Sequence, residues 1–281
     1  MNQIPALPDL AFAAVAPQMC GLEGNRMCFM RAGSNRRATI LLLHGIGSNS
    51  AGWRFVLDAM ARDYDVIAWN APGYMLSDNL ASPTPTNWQY ADAAAALLDA
   101  LGIDSVFLAG SSFGSMIAAS FAVRHAKRVR RLALLGCSRG LKSLPETERT
   151  RRLDARKESI RDGALSMSAK RWQNLIAPNA SETAKLLTQE ALKATHPRGF
   201  LQAAETINST DIVEFVGDIT APALVIVGKE DKINPPEISR VVADGIANSR
   251  LVELDGAGHL PKLECPDKVV SLLSEHFGQA L

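Results

Sequence analysis

The chain has 281 residues, of which 47% are hydrophobic and 21% charged, and its formal net charge is +1. That supply of apolar residues is enough for a large buried core. The near-neutral charge excludes a global field that would draw in nucleic acid or an anionic membrane, and it suits a small, neutral or singly charged substrate.

Cys20, Cys28, Cys137 and Cys265 are scattered, without paired metal-ligand spacing, so free thiols in a reducing compartment are expected and no metal or other cofactor. The opening MNQIPALPDLAFAAVAP lacks a basic n-region and is broken by Pro5, Pro8 and Asp9. It reads as an N-terminal arm (residues 1–18) lying on the surface and not as a signal peptide. No segment approaches the roughly 20 uninterrupted apolar residues needed to span a bilayer. A cytoplasmic protein with no membrane partner is the expectation, and a homodimer is compatible with it.

Residues 39–44 (TILLLH) form a continuous apolar run ending at Gly45, the pattern of a strand buried on both faces. A helix over 51–62 and a strand over 64–69 (YDVIAW) follow. Residues 87–101 are alanine-rich and closed by Gly102, which predicts a strong helix. A strand at 105–110 (SVFLAG), a helix at 113–125 and a strand at 131–136 (RLALLG) continue the alternation. This order argues for a parallel sheet with helices on both faces.

From 139 to 215 the chain is charged and helix-prone with no buried strand. The alternation then resumes with a strand at 223–228 (ALVIVG), a helix at 236–246, a strand at 250–254 and a helix at 266–277. Three segments follow: an α/β core part at 1–138, a helical cap at 139–215 and a second core part at 216–281. A cap over the strands' C-terminal ends would cover the edge where open α/β sheets bind ligands.

Gly110-Ser111-Ser112-Phe113-Gly114 matches G-x-S-x-G between a buried strand and an apolar helix, the context that gives the pattern meaning. The turn projects the Ser112 hydroxyl above the sheet edge at a helix N-terminus. A hydroxyl is a poor nucleophile until a base removes its proton. Of the five histidines, His125 and His276 close helices, His196 precedes Pro197 in the cap, and His44 sits in a turn. His259, in the glycine-punctuated loop DGAGHLP, remains as the base. It must be neutral to act, so kcat/KM is expected to fall on the acid side. The orienting acid should lie between serine and histidine in chain order, and Asp231 in GKEDKINPP fits, with Glu230 and Asp255 as rivals. The oxyanion donors are expected to be the backbone N–H groups of Phe113 and of Ile46, the latter in His44-Gly45-Ile46-Gly47. Gly45, Trp53, Arg139, Trp172 and Leu260 are the candidate substrate contacts, Arg139 through a bidentate hold on a carboxylate.

HGIG, NAPGY, GSSFG, GKED and GAGH occur in the order and placement found in the α/β-hydrolase family, which the sequence resembles over nearly its whole length. The resemblance implies that fold and an acyl-enzyme on Ser112. It extends to bacterial enol-lactone hydrolases, small-ester hydrolases and the meta-cleavage product hydrolases that split a carbon–carbon bond. A carbon–carbon hydrolase of that type usually has Asn where this chain has Ser111 and Trp where it has Leu260, which ranks ester or lactone hydrolysis first. Asn70 stands where the family usually has an acid. A ligand-sensing receptor that keeps the triad is the alternative of a different class.

Overall fold

A computed structural model describes residues 4–33 and 38–278. The core opens with β1 (Leu10–Ala14), α1 (Pro17–Cys20), β2 (Arg26–Ala32), β3 (Thr39–Leu43), α2 (Arg54–Met60) and β4 (Asp65–Trp69). It continues through α3 (Asn87–Ala100), β5 (Val106–Ser111), α4 (Phe113–Arg124) and β6 (Val129–Leu135). Four helices come next: α5 (Glu146–Arg161), α6 (Ala164–Leu175), α7 (Glu182–Lys193) and α8 (Pro197–Ser209). The chain returns to the sheet with β7 (Ala223–Gly228), α9 (Pro236–Asp244), β8 (Ser249–Leu254), α10 (Pro261–Glu264) and α11 (Pro266–Gly278).

The strands form one eight-stranded sheet in the order β1-β2-β4-β3-β5-β6-β7-β8. Strands β3 to β8 run parallel, while β1 and β2 pair antiparallel at one edge. This is the α/β-hydrolase fold. The alternation along each strand explains its unbroken apolar runs. Leu41, Leu43, Leu108 and Leu134 face one core layer with the alanines of α3 and the apolar side of α4. Ile40, Leu42, Ala109 and Leu135 face the other, with α2 and α11. Burial on both faces favours apolar side chains along the middle of these strands. The helix α3 starts at a capping box in which Thr86 and Gln89 satisfy each other's backbone amides.

The N-terminal arm departs from the expectation. Residues 10–14 do not merely lie on the surface; they pair with β2 from Leu10↔Met30 to Ala14↔Arg26 and form the sheet's edge strand. The pattern LAFAA is short and alanine-rich, so it carries little strand propensity of its own, and the pairing with β2 supplies what propensity does not. The arm's first three residues lie outside the described residues, as do 279–281 at the end of the second core part. The expected helix over 51–62 is also divided: a 3₁₀ turn occupies Ser50–Trp53 before α2 begins.

Because β3 pairs with both β4 and β5, the chain steps outward from β3 to β4 and then crosses back over it to β5. Such a reversal leaves a crevice at the C-terminal ends of the strands. The turn after β3, the β5–α4 junction and the loops after β7 and β8 all end at that edge, where α5 to α8 also stand.

Candidate active site

Ser112 is one of two non-glycine residues with positive φ among those described, at φ 56° and ψ −121°. Its position is held from several sides. Its N–H donates to Leu135 O at 2.8 Å, and its carbonyl accepts from the Ser115 hydroxyl at 2.6 Å. A Cβ on Gly110 would lie 2.1 Å from Gly114 O, and one on Gly114 would lie 2.2 Å from Leu43 O. Both glycines are therefore required for α4 to pack against β5 and β3 at this turn.

The Ser112 Oγ lies 2.9 Å from His259 Nε2, and His259 Nδ1 lies 2.8 Å from Asp231 Oδ2. A neutral imidazole that donates from Nδ1 to the carboxylate leaves Nε2 free to accept the hydroxyl proton. Asp231 is itself fixed, because its Oδ1 accepts from the N–H groups of Ile233 and Asn234, both at 2.9 Å. Its two rivals are placed elsewhere. The Asp255 carboxylate is exposed and pairs with Lys229 at 2.7 Å, and Glu230 is only half-buried while Asp231 is buried.

The pocket above Ser112 is lined by Gly45, Ile46, His259 and Leu260 from the core side. Phe113 begins α4, and its N–H is one of the first-turn amides that helix geometry leaves without an intrahelical acceptor. Gly45 approaches closely enough that a Cβ there would stand 3.0 Å from the Ser112 Cβ.

Three candidate substrate contacts lie outside the pocket lining. Arg139 is committed to Asp211, with contacts of 2.7, 2.9 and 3.1 Å. Trp53 is fully buried in the core layer beneath the sheet edge. Trp172 packs between two apolar clusters, one within the inserted helices and one that joins Ile176 and Ala184 to Phe55 and Leu263 of the core.

Other groups take the places that these residues were expected to fill. Arg156 on α5 and Arg171 on α6 both line the pocket. Burial, then the neighbouring Arg171 and Arg152 cations, push Arg156 down to about 10, and burial also lowers Arg171. The Arg156 Nη1 is buried and has no hydrogen-bond partner among the described residues. Lys262 on α10 also lines the pocket: its ammonium donates to Ser111 Oγ at 2.8 Å and stands 5.1 Å above the Trp53 ring. Burial pushes this lysine down to about 7. Glu264 gathers the N–H groups of Ala177, Gly258 and Leu260 at 2.7, 2.9 and 2.9 Å. It thereby ties the histidine loop to the segment after α6, and burial raises its carboxyl above the usual range.

His44 is not in the lining but supports the turn. Its Nδ1 donates to Gly45 O at 2.9 Å and its Nε2 accepts from Ala71 N–H at 3.0 Å. Asn70 has a related role, accepting Ser50 N–H at 2.8 Å and donating to Cys28 Sγ at 3.3 Å. Among the described residues no cluster of His, Cys, Asp and Glu could hold a metal ion, and no helix is long and apolar enough to cross a membrane.

A family model described as the alpha/beta hydrolase fold matches residues 38–266. The chain is 28% identical over 241 residues to a 2-hydroxy-6-oxononadienedioate/2-hydroxy-6-oxononatrienedioate hydrolase of Dechloromonas aromatica, covering 82% of this chain and 83% of that protein. It is 30% identical over 244 residues to a pimeloyl-[acyl-carrier protein] methyl ester esterase of Chromobacterium violaceum, covering 85% of this chain and 93% of that protein. Among solved structures, the enol-lactonase of Burkholderia xenovorans superposes with a TM-score of 0.82 at 22% identity, covering 94% of this chain and all (100%) of that one.

Proposed function

The chain belongs to the α/β-hydrolase family, and within it we propose that it is a serine hydrolase of a small carboxylic ester or lactone. The observation that carries this reading is the continuous run of contacts from Ser112 Oγ through His259 to Asp231, at 2.9 and 2.8 Å. In the proposed first step, Ser112 Oγ attacks the carbonyl carbon while its proton passes to His259 Nε2. The carbonyl oxygen takes up the negative charge and is met by the N–H groups of Ile46 and Phe113. Collapse expels the alcohol oxygen, which takes the proton from His259. Water, deprotonated by the same imidazole, then attacks the acyl-enzyme, and collapse releases the acid as His259 returns the proton to Ser112 Oγ. In a lactone the expelled oxygen stays on the product. The helices α5 to α8 act as the cap of this pocket, and the four free cysteines fit a reducing cytoplasm.

Hydrolytic carbon–carbon cleavage is the second reading. What favours it is the pair of cap guanidinium groups, Arg156 and Arg171, facing the pocket, which suits an anionic ring-fission product. Several relatives bear names of that activity. Against it, Ser111 is engaged by Lys262, and Leu260 presents an aliphatic side chain beside His259.

A panel of p-nitrophenyl esters, enol-lactones and ring-fission dienoates tests the ranking, together with mass spectrometry of a fluorophosphonate-treated sample. Ester or lactone turnover and a single adduct on Ser112 are expected. Turnover of the dienoates with inert esters and lactones would reverse the two readings, and labelling without multiple turnover would point to a ligand sensor.

A further inference from the structure

Lys262 is buried to 1% exposure, yet among the described residues it forms no ion pair with a carboxylate. Its one hydrogen bond there is to Ser111 Oγ, and its other neighbour is the face of Trp53. Removing an ammonium from water is costly, and a hydroxyl plus a ring face recover only part of that cost. A methionine would fill the same volume without the penalty. An ammonium has three donors, and the residue lines the pocket that holds Ser112 and His259. Ser111 precedes Ser112, so the tether fixes this charge beside the nucleophile.

We propose that Lys262, held by Ser111 and Trp53, is a specificity-determining cation that binds an anionic oxygen of the substrate, most simply a carboxylate on the acyl portion. This rests on the reading of Ser112 as the nucleophile of an ester or lactone hydrolase, and it adds that the preferred substrate is negatively charged. The Arg156 and Arg171 cations reach the pocket from the cap, whereas Lys262 reaches it from the core. The charged and titratable groups around Lys262 are His44, His259 and Glu264 on the core side and these two arginines on the cap side.

The test compares kcat/KM for p-nitrophenyl hydrogen glutarate with that for p-nitrophenyl pentanoate, two esters matched in acyl length. Lys262→Met is expected to lower the preference for the anionic ester by about 10- to 100-fold, the loss of one charge-assisted hydrogen bond. Arg171→Met, measured alongside, should leave a preference that adding Lys262→Met lowers further. In the wild type the same preference should decline as pH rises from 6 to 9, because Lys262 loses its proton near pH 7. His44, at about 4, and Arg156, at about 10, keep their charge states over that range. The need for a neutral His259 applies to both esters and cancels in the ratio.

A ratio unchanged in Lys262→Met, or governed by Arg171 alone, overturns the proposal. If Lys262→Met does not fold, Lys262→Gln takes its place, and an unchanged ratio there overturns the proposal. If neither ester is turned over, the ester reading has failed on its own. Calorimetry of glutarate binding then judges Lys262 separately: equal affinity in wild type and Lys262→Met would sink its role, and a loss of about 10-fold or more would sustain it.

Discussion

Arg139 and Asp211, 72 residues apart in sequence, meet in a two-pronged ion pair at the root of the inserted helices. Arg139 lies just past the end of β6, and Asp211 just past the end of α8. The two stems are also joined through the backbone, with Ile212 N–H donating to Arg139 O at 2.9 Å and Lys142 N–H to Thr210 O at 3.1 Å. The pair therefore closes the base of the four-helix insertion. Its carboxylate is 4% exposed and its guanidinium 33%, between the surface and buried limits.

Breaking this pair should act on stability. Arg139→Met leaves a nearly buried carboxylate without its cation, and a loss of about 1–3 kcal/mol in urea unfolding is expected. A substrate-binding arginine would behave in the opposite way, raising KM with the unfolding midpoint unchanged. Paired denaturation and kinetic measurements on this one variant separate the two roles.

The three groups of the proposed relay are expected to differ sharply from their sequence neighbours. Ser112→Ala should lower kcat by at least about four orders of magnitude with the fold retained. Asp231→Asn should lower it by roughly three to four orders, because the imidazole loses both its orientation and its counter-charge. Glu230→Gln and Asp255→Asn should remain near the wild-type rate, since the first is only half-buried and the second is engaged by Lys229. Steady-state rates for the four variants at one pH, with circular dichroism as the fold control, check the assignment. A severe loss in Glu230→Gln with activity kept in Asp231→Asn would move the acid by one position.

The parts of this site that can be read in the sequence are those whose local pattern is tied to their geometry. The strands β3, β5 and β7 are buried on both faces, so their apolar runs stand out, and the residues that follow them fall at one sheet edge. Gly110 and Gly114 mark the turn at Ser112 because a Cβ at either would overlap backbone. The rest depends on packing between distant elements. Lys262 and Glu264 occur in PKLECPDK, which reads as a solvated helix start, and only the fold turns one beneath the pocket and the other onto three backbone amides. Arg156 and Arg171 sit among many basic residues of α5 and α6, and their inward direction is set by helix orientation. Trp53, expected as a contact, instead supplies the ring face beneath Lys262. The edge strand β1 was hidden because LAFAA acquires its structure from β2.

His44 gives the fold an acid-sensitive point beneath the Gly45 turn. It is fully buried, and burial is the main cause that pushes it down to about 4, with the Lys262 charge adding to the effect and the bond to Gly45 O opposing it. The ring's bonds explain why the neutral form is required: protonating Nε2 would set an N–H against the N–H of Ala71. In the unfolded chain the imidazole binds its proton near pH 6.5, so below that pH the unfolded state holds more protons than the folded one. The stabilising contribution is complete above about pH 6.5 and is lost as pH falls towards 4, by ~3 kcal/mol in all. His44→Gln keeps an acceptor for Ala71 N–H but cannot titrate. The wild type is therefore expected to be more acid-sensitive than His44→Gln, the difference in unfolding free energy shifting by ~3 kcal/mol between pH 7 and 4. Urea titrations of both proteins across that range measure it, and a difference that stays constant would show that the ring already accepts its proton within the fold.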